Sequence, residues 1–179
     1  MPKLNAVGRH VIRYKGLFDF DGLYNLIAAW MKARGYWFQE KVYKHKVPLP
    51  TGAEQEISFT GSKDITEFYR HNMALDFHLW DMTEVEVEVK GVKKTLTSAR
   101  MEIIITGDLE VDYQGRFEKK KFLQELRNFL MKYIIKEEME GVYADELRYR
   151  LYKLHTAIKE YLDMQAQGSE YAGYLGDNV

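Results

Sequence analysis

The sequence predicts an α+β fold: a curved, mainly antiparallel sheet packed on an N-terminal amphipathic helix and two C-terminal helices. Three observations carry this. Apolar and polar residues alternate with period two from Phe68 to Trp80, from Glu84 to Lys90 and from Thr97 to Ile105. The period switches to 3.6 after residue 117. A separate 3.6-period stripe, Phe20, Leu23, Tyr24, Ile27, Trp30 and Met31, precedes the strands.

The elements follow in order. Ala6 to Tyr14 reads as a short strand ended by Gly16. The first helix spans roughly 21–34. Asp19 or Asp21 is placed to cap it, because a short carboxylate can accept from the free amides of the first turn. Gly35 stands where a terminating glycine belongs. Residues 36–47 form a strand, and Pro48-Leu49-Pro50-Thr51-Gly52 reads as a loop, since proline lacks the ladder amide. Glu54 to Thr60 is a strand, and Gly61-Ser62-Lys63-Asp64 reads as a turn. The long strand 68–80 follows, with Met73, Leu75, Phe77 and Leu79 as its core face. Asp81-Met82-Thr83 interrupts it by a bulge, bend or turn. Lys90 to Lys93 reads as a hairpin turn, Thr97 to Ile105 as the return strand, and Gly107-Asp108 as a second turn or bulge before Leu109 to Tyr113. Two helices, about 117–139 and 144–165, close the chain. They are placed by the stripes Phe122 to Ile134 and Leu147 to Leu162, with a break at Gly141; a single helix kinked there fits the same pattern.

This gives one α+β domain over 1–166, strand-rich at 36–115 and helical at 117–166, with a glycine-bearing tail at 167–179. The element order resembles the helix-grip fold, in which a sheet wraps a long C-terminal helix and leaves a cavity. A second C-terminal helix departs from that order.

Composition narrows the chemistry. With no cysteine among 179 residues, there is no disulfide scaffold, thiolate zinc site or cysteine nucleophile. The formal net charge of -1 gives no general electrostatic pull toward nucleic acid. No apolar run is long enough to insert in a membrane, the first residues lack a signal-like core, and a cytoplasmic location is expected. No nucleophile-elbow, dinucleotide or P-loop motif occurs, and no cofactor is expected. The five histidines show no HxxH or HExxH spacing, so no metal site is expected either. Glu86-Val87-Glu88-Val89-Lys90 matches the ExExK pattern of triphosphate-tunnel enzymes. Yet only 89 residues follow Lys90, about half of them helical in pattern, and a solvated strand face accounts for the same alternation.

The distinctive quantity is aromatic content, 14%, from three Trp, thirteen Tyr and nine Phe. Phe20, Tyr24, Trp30, Phe59, Phe77, Phe122, Phe129 and Tyr133 fall on core stripes. The remainder forms patches. Asp76, His78 and Trp80 share one side of the long strand with Arg70 and Asn72. In a cavity this side would offer an acid/base pair, His78 oriented by Asp76, beside an aromatic wall. On the last helix Tyr149, Tyr152 and His155 lie off the leucine stripe beside Arg148 and Arg150, which suits a contact surface. Trp37, Phe38 and Tyr43 interleave Lys41, Lys44 and Lys46, and a further lysine cluster at 90–94 follows; both would serve nucleic acid.

The leading expectation is therefore a non-enzymatic binding or interaction protein. It would present an aromatic-lined groove or helical face to a protein partner, a second copy of itself or a small apolar ligand. The alternatives are an enzyme using His78 and Asp76, with Arg70 and Trp80 for binding, and a nucleic-acid-associated protein using the lysine and aromatic patches.

Overall fold

A computed structural model describes residues 3–49, 52–89, 92–117, 121–123, 125, 129 and 139–164. Five antiparallel strands form one sheet: β1 (Lys3–Phe18), β2 (Trp37–Leu49), β3 (Gly52–Asp64), β4 (Tyr69–Val89) and β5 (Val92–Val111), in the order β1-β5-β4-β3-β2. Helix α1 (Phe20–Ala33) follows β1, and helix α2 (Asp145–Tyr161) follows a π-helical segment, Met139–Ala144. The overall class is α+β.

Helix α1 begins and ends by side-chain and backbone chemistry already visible in the sequence. Asp19, not Asp21, is the N-cap, and its Oδ1 accepts from the Gly22 amide at 3.0 Å. Gly35 adopts φ +78°, and the Gly35 and Tyr36 amides return to the Lys32 and Met31 carbonyls, both at 3.0 Å. This is the paired hydrogen bonding that a left-handed residue after a helix permits. Leu23, Ile27 and Met31 face the core one turn apart, and Leu147, Leu151, Leu154 and Ile158 do the same on α2.

Both helices cover the same side of the sheet, α2 over β1 and β5, and α1 beside β2 and against α2. The core is built from Ile12, Ile57, Phe59, Met73, Leu75, Phe77, Leu79, Met101, Ile103 and Ile105 with the two helix stripes. Alternation then sends the other residue of each strand pair to a face that neither helix covers. Burying a Leu, Ile or Phe side chain contributes about 1.5–3 kcal/mol. A one-residue slip of β4 would therefore expose the whole row from Met73 to Leu79.

The strands run longer than their alternation suggests, and glycine is the reason. Gly61 and Gly107 lie within β3 and β5; neither is a turn. A Cβ on Gly61 would stand 3.1 Å from the Met31 sulfur, and one on Gly107 would stand 2.6 Å from Leu151 Cδ1. Gly8 is the cross-strand partner of Gly107, and its Cβ would lie 3.2 Å from the same methyl. The glycines are thus seats where α1 and α2 press onto the sheet. Pro48 is also inside a strand. It falls in a stretch of irregular register between Lys46 and Leu49, on an edge strand where a missing ladder amide is tolerated.

Another expectation is corrected. Phe122 and Phe129 are 71% and 53% exposed and do not join the core that the sheet forms with α1 and α2. The segment Met139–Ala144 is π-helical and leads into α2 without a loop, so the interruption at Gly141 is a change of helix type. The helix expected at about 117–139 falls largely outside the described residues, as do Tyr133 and the tail from 167. Among the described residues no helix is long and apolar enough to cross a membrane.

Candidate functional site

The interruption expected at 81–83 is a β-bulge. Trp80 pairs with Arg100 and Thr83 with Ser98, so two residues of β4 oppose one of β5, and Asp81 takes φ +56°. Gly52 at the start of β3 accommodates it; a Cβ there would lie 2.5 Å from the Asp81 carbonyl carbon. A bulge re-aims the side chains beside it, and here those are His78 and Trp80 on the helix-free face.

His78 and Trp80 stack with centroids 3.9 Å apart and planes 23° from parallel. The Arg100 guanidinium lies 5.0 Å from the Trp80 centroid and 3.8 Å from Asp81. His78 Nε2 is 2.5 Å from Glu54 Oε1 and 4.0 Å from Glu56 Oε1. Glu56 is the direct cross-strand partner of His78, and period two brings Glu54 to the same side. Next to Trp80 a hollow of about 390 Å³ is lined by Arg13, Tyr14, Lys15, Trp80, Arg100, Met101 and Glu102. Arg13 is tied to Glu102 at 2.6 Å.

This placement alters the catalytic expectation. The carboxylate that orients His78 is Glu54; Asp76 instead accepts from the Ser58 hydroxyl at 2.6 Å. The whole group faces away from the helices, so it does not line a space between sheet and helices. Arg70 is further along the same face. It is paired with Asp64 at 2.5 Å and lies 4.1 Å from the Tyr113 centroid. That ion pair holds the Asp64 carboxyl below its ordinary range and the Arg70 guanidinium above its own. A second hollow of about 290 Å³ lies there, among Trp37, Gln39, Lys41, Thr60, Arg70 and Asn72.

The helical candidates separate. Tyr152 and His155 turn toward β1, where His10 completes a ring cluster: His10 to His155 5.2 Å, His10 to Tyr152 6.2 Å. Burial pushes both histidines below their ordinary range, and for His155 the neighbouring His10 adds to it. Arg148 is ion-paired to Asp145 on the outer side of α2, and Tyr149 is half-buried.

His10 was not singled out by sequence, since nothing local links residues 145 positions apart. His71 was also passed over. It is fully buried on the core face, bonded through Nε2 to the Tyr143 carbonyl at 2.9 Å, with Nδ1 unpartnered. Burial, the largest influence, lowers its affinity for a proton.

Of the basic patches, Lys41, Lys93 and Lys94 are exposed, and Lys94 is bonded to Asp19 at 2.7 Å. The side chains of Tyr43, Lys44 and Lys46, and residue Lys90, lie outside the described residues. Glu86 and Glu88 of the ExExK run are exposed on the distal part of β4, in an open sheet.

No family model and no curated protein matches the chain. A solved structure of an uncharacterised protein from Rhizobium leguminosarum aligns over 89% of this chain and 99% of its own, at 10% identity and a TM-score of 0.20. A likeness of that size carries no functional argument.

Proposed function

We propose that this chain is a non-enzymatic binding protein whose ligand surface is the helix-free face of the sheet around Trp80. The observation that carries the reading is the continuous stack of His78, Trp80 and Arg100 at the edge of a hollow of about 390 Å³. An indole supplies a flat apolar wall, and Arg13, Lys15 and Arg100 supply three positive charges around it against the two carboxylates of Glu102 and Asp81. That combination suits a small ligand with an apolar body and an anionic group. The ordinary alternative for such a face is solvated polar surface. The bulge at Asp81 favours binding, because its left-handed φ of +56° shapes the face at some conformational cost, and the stack fixes the indole there.

Within this reading a protein partner or a second copy would add contacts through Arg148 and Tyr149 on the outer side of α2. The helix-grip likeness serves as an analogy for how the sheet holds α2, and a cytoplasmic location belongs to the same reading.

The test is a screen of small aromatic and aliphatic acids, followed by titration of the hits. Trp80→Ala and Arg100→Gln are each expected to weaken them at least tenfold, and added salt to weaken them further. Hits that bind equally to both variants would end the proposal.

A further inference from the structure

We propose that Glu54, Glu56 and His78 form a binding site for one divalent transition-metal ion, with Zn²⁺ as the best-suited occupant. This goes beyond the Trp80 hollow and does not depend on it.

Among the described residues these three are the one set of histidine and carboxylate donors that converges, every ligand atom within 4.8 Å of the others. The convergence is built into the sheet. Glu56 and His78 are paired across β3 and β4, and Glu54 is two residues along the same side of β3, opposite the Trp80–Asp81 bulge. The ring of His78 is held by the Trp80 stack and presents Nε2 to both carboxylates.

The dimensions fit with small adjustments. Zinc takes imidazole nitrogen and carboxylate oxygen at roughly 2.0–2.2 Å, so its ligand atoms stand about 3.3–3.5 Å apart in a tetrahedron. The His78–Glu54 separation of 2.5 Å and the His78–Glu56 separation of 4.0 Å bracket that spacing. Rotating the two carboxylates so that their oxygens move by about an ångström would equalise them, with an ion in place of the hydrogen bond that now joins His78 to Glu54. Two carboxylates balance the charge of a divalent ion. The side chains are 24–33% exposed, which leaves an outward coordination position for water. Imidazole with carboxylate is borderline in softness and suits zinc over calcium or magnesium.

The experiment is equilibrium dialysis of the untagged full chain against Zn²⁺, paired with Co²⁺ or Cu²⁺ titration followed by tryptophan fluorescence. One ion per chain is expected. His78→Ala and Glu54→Gln should each lower affinity at least tenfold, with circular dichroism confirming that both remain folded. Cu²⁺ should quench emission in the parent, and Trp80→Phe should abolish most of the quench, since Trp80 stacks on the His78 ring. The proposal is overturned if no Zn²⁺ is retained. It is equally overturned if His78→Ala binds like the parent, or if binding is lost in His155→Ala instead, which would assign the ion to the His10–His155 pair. Because metal ions are the only ligands added, failure here leaves the small-acid reading of the hollow standing, and the reverse also holds.

Discussion

Replacing Gly107 by alanine tests how α2 is held to the sheet. The added Cβ would stand 2.6 Å from Leu151 Cδ1 and 3.1 Å from both its Cδ2 and its Cγ. Apolar carbons settle at about 3.5–4.0 Å, so Leu151 must retreat by roughly 1 Å. It is fully buried, and three of its atoms are struck at once, so a rotamer change alone does not relieve the contact. Overpacking of this kind costs about 1–3 kcal/mol. Leu151→Ala alone costs about 2–5 kcal/mol through lost burial and the cavity left behind. Combined, the two changes should not add. With Leu151 shortened, the new methyl enters free space, and Gly107→Ala becomes neutral or stabilising by up to ~1 kcal/mol, since alanine loses less backbone freedom than glycine. Urea denaturation of the four proteins at pH 7 reads the coupling, expected at about 1–3 kcal/mol. Additivity within about 0.5 kcal/mol would refute the reasoning.

Three further outcomes are expected. Stability should fall with acid before any carboxylate titrates. His10, His71 and His155 are all held below the ordinary value of 6.5, chiefly by burial, so their contribution is complete above that pH. It is lost as the pH drops from 6.5 toward their folded values, because the unfolded chain binds the protons first. Denaturation midpoints at pH 7 and pH 5 check this. His71→Phe should lower stability at pH 7 yet flatten the pH dependence, and an unchanged slope would contradict the assignment. Asp19→Ala should cost about 1 kcal/mol through loss of the α1 cap, and Asp19→Asn distinctly less, by thermal melting. Gly52→Ala should destabilise by about 1–3 kcal/mol, since it forces φ +129° on an alanine and drives its Cβ into the Asp81 backbone. The His78–Trp80 stack beside the bulge should loosen with it, visible as a change in tryptophan emission.

Period and capping made much of the fold readable from the chain. Met73 to Leu79 declared the inner face of β4, and Gly35 declared the end of α1, because both signals are local. Gly61 and Gly107 misled because a glycine opposite a helix and a glycine in a turn look alike in sequence. Only the Met31 sulfur and the Leu151 methyls decide between them. The site shows the same limit. Alternation placed Asp76, His78 and Trp80 on one side, but Glu54 reaches His78 through strand register, and register is set by a turn and a bulge that carry no marked motif. Asp76 looked like the partner because it is near in sequence; Ser58 takes it in space. Phe122 and Phe129 followed a helical stripe, yet a stripe does not say whether the sheet has room left to bury it.

The most direct test of the Trp80 hollow as the working surface uses the three indoles. Trp30 is on α1 beneath the Arg34 guanidinium, Trp37 is 70% exposed at the start of β2, and Trp80 is at the bulge. Their side-chain N–H signals in a proton–nitrogen NMR spectrum report three separate regions of the molecule. Titration with the acids recovered from the screen should shift the Trp80 signal and leave those of Trp30 and Trp37 in place. Movement of Trp30 or Trp37 with Trp80 unmoved would place the binding surface elsewhere and contradict the account.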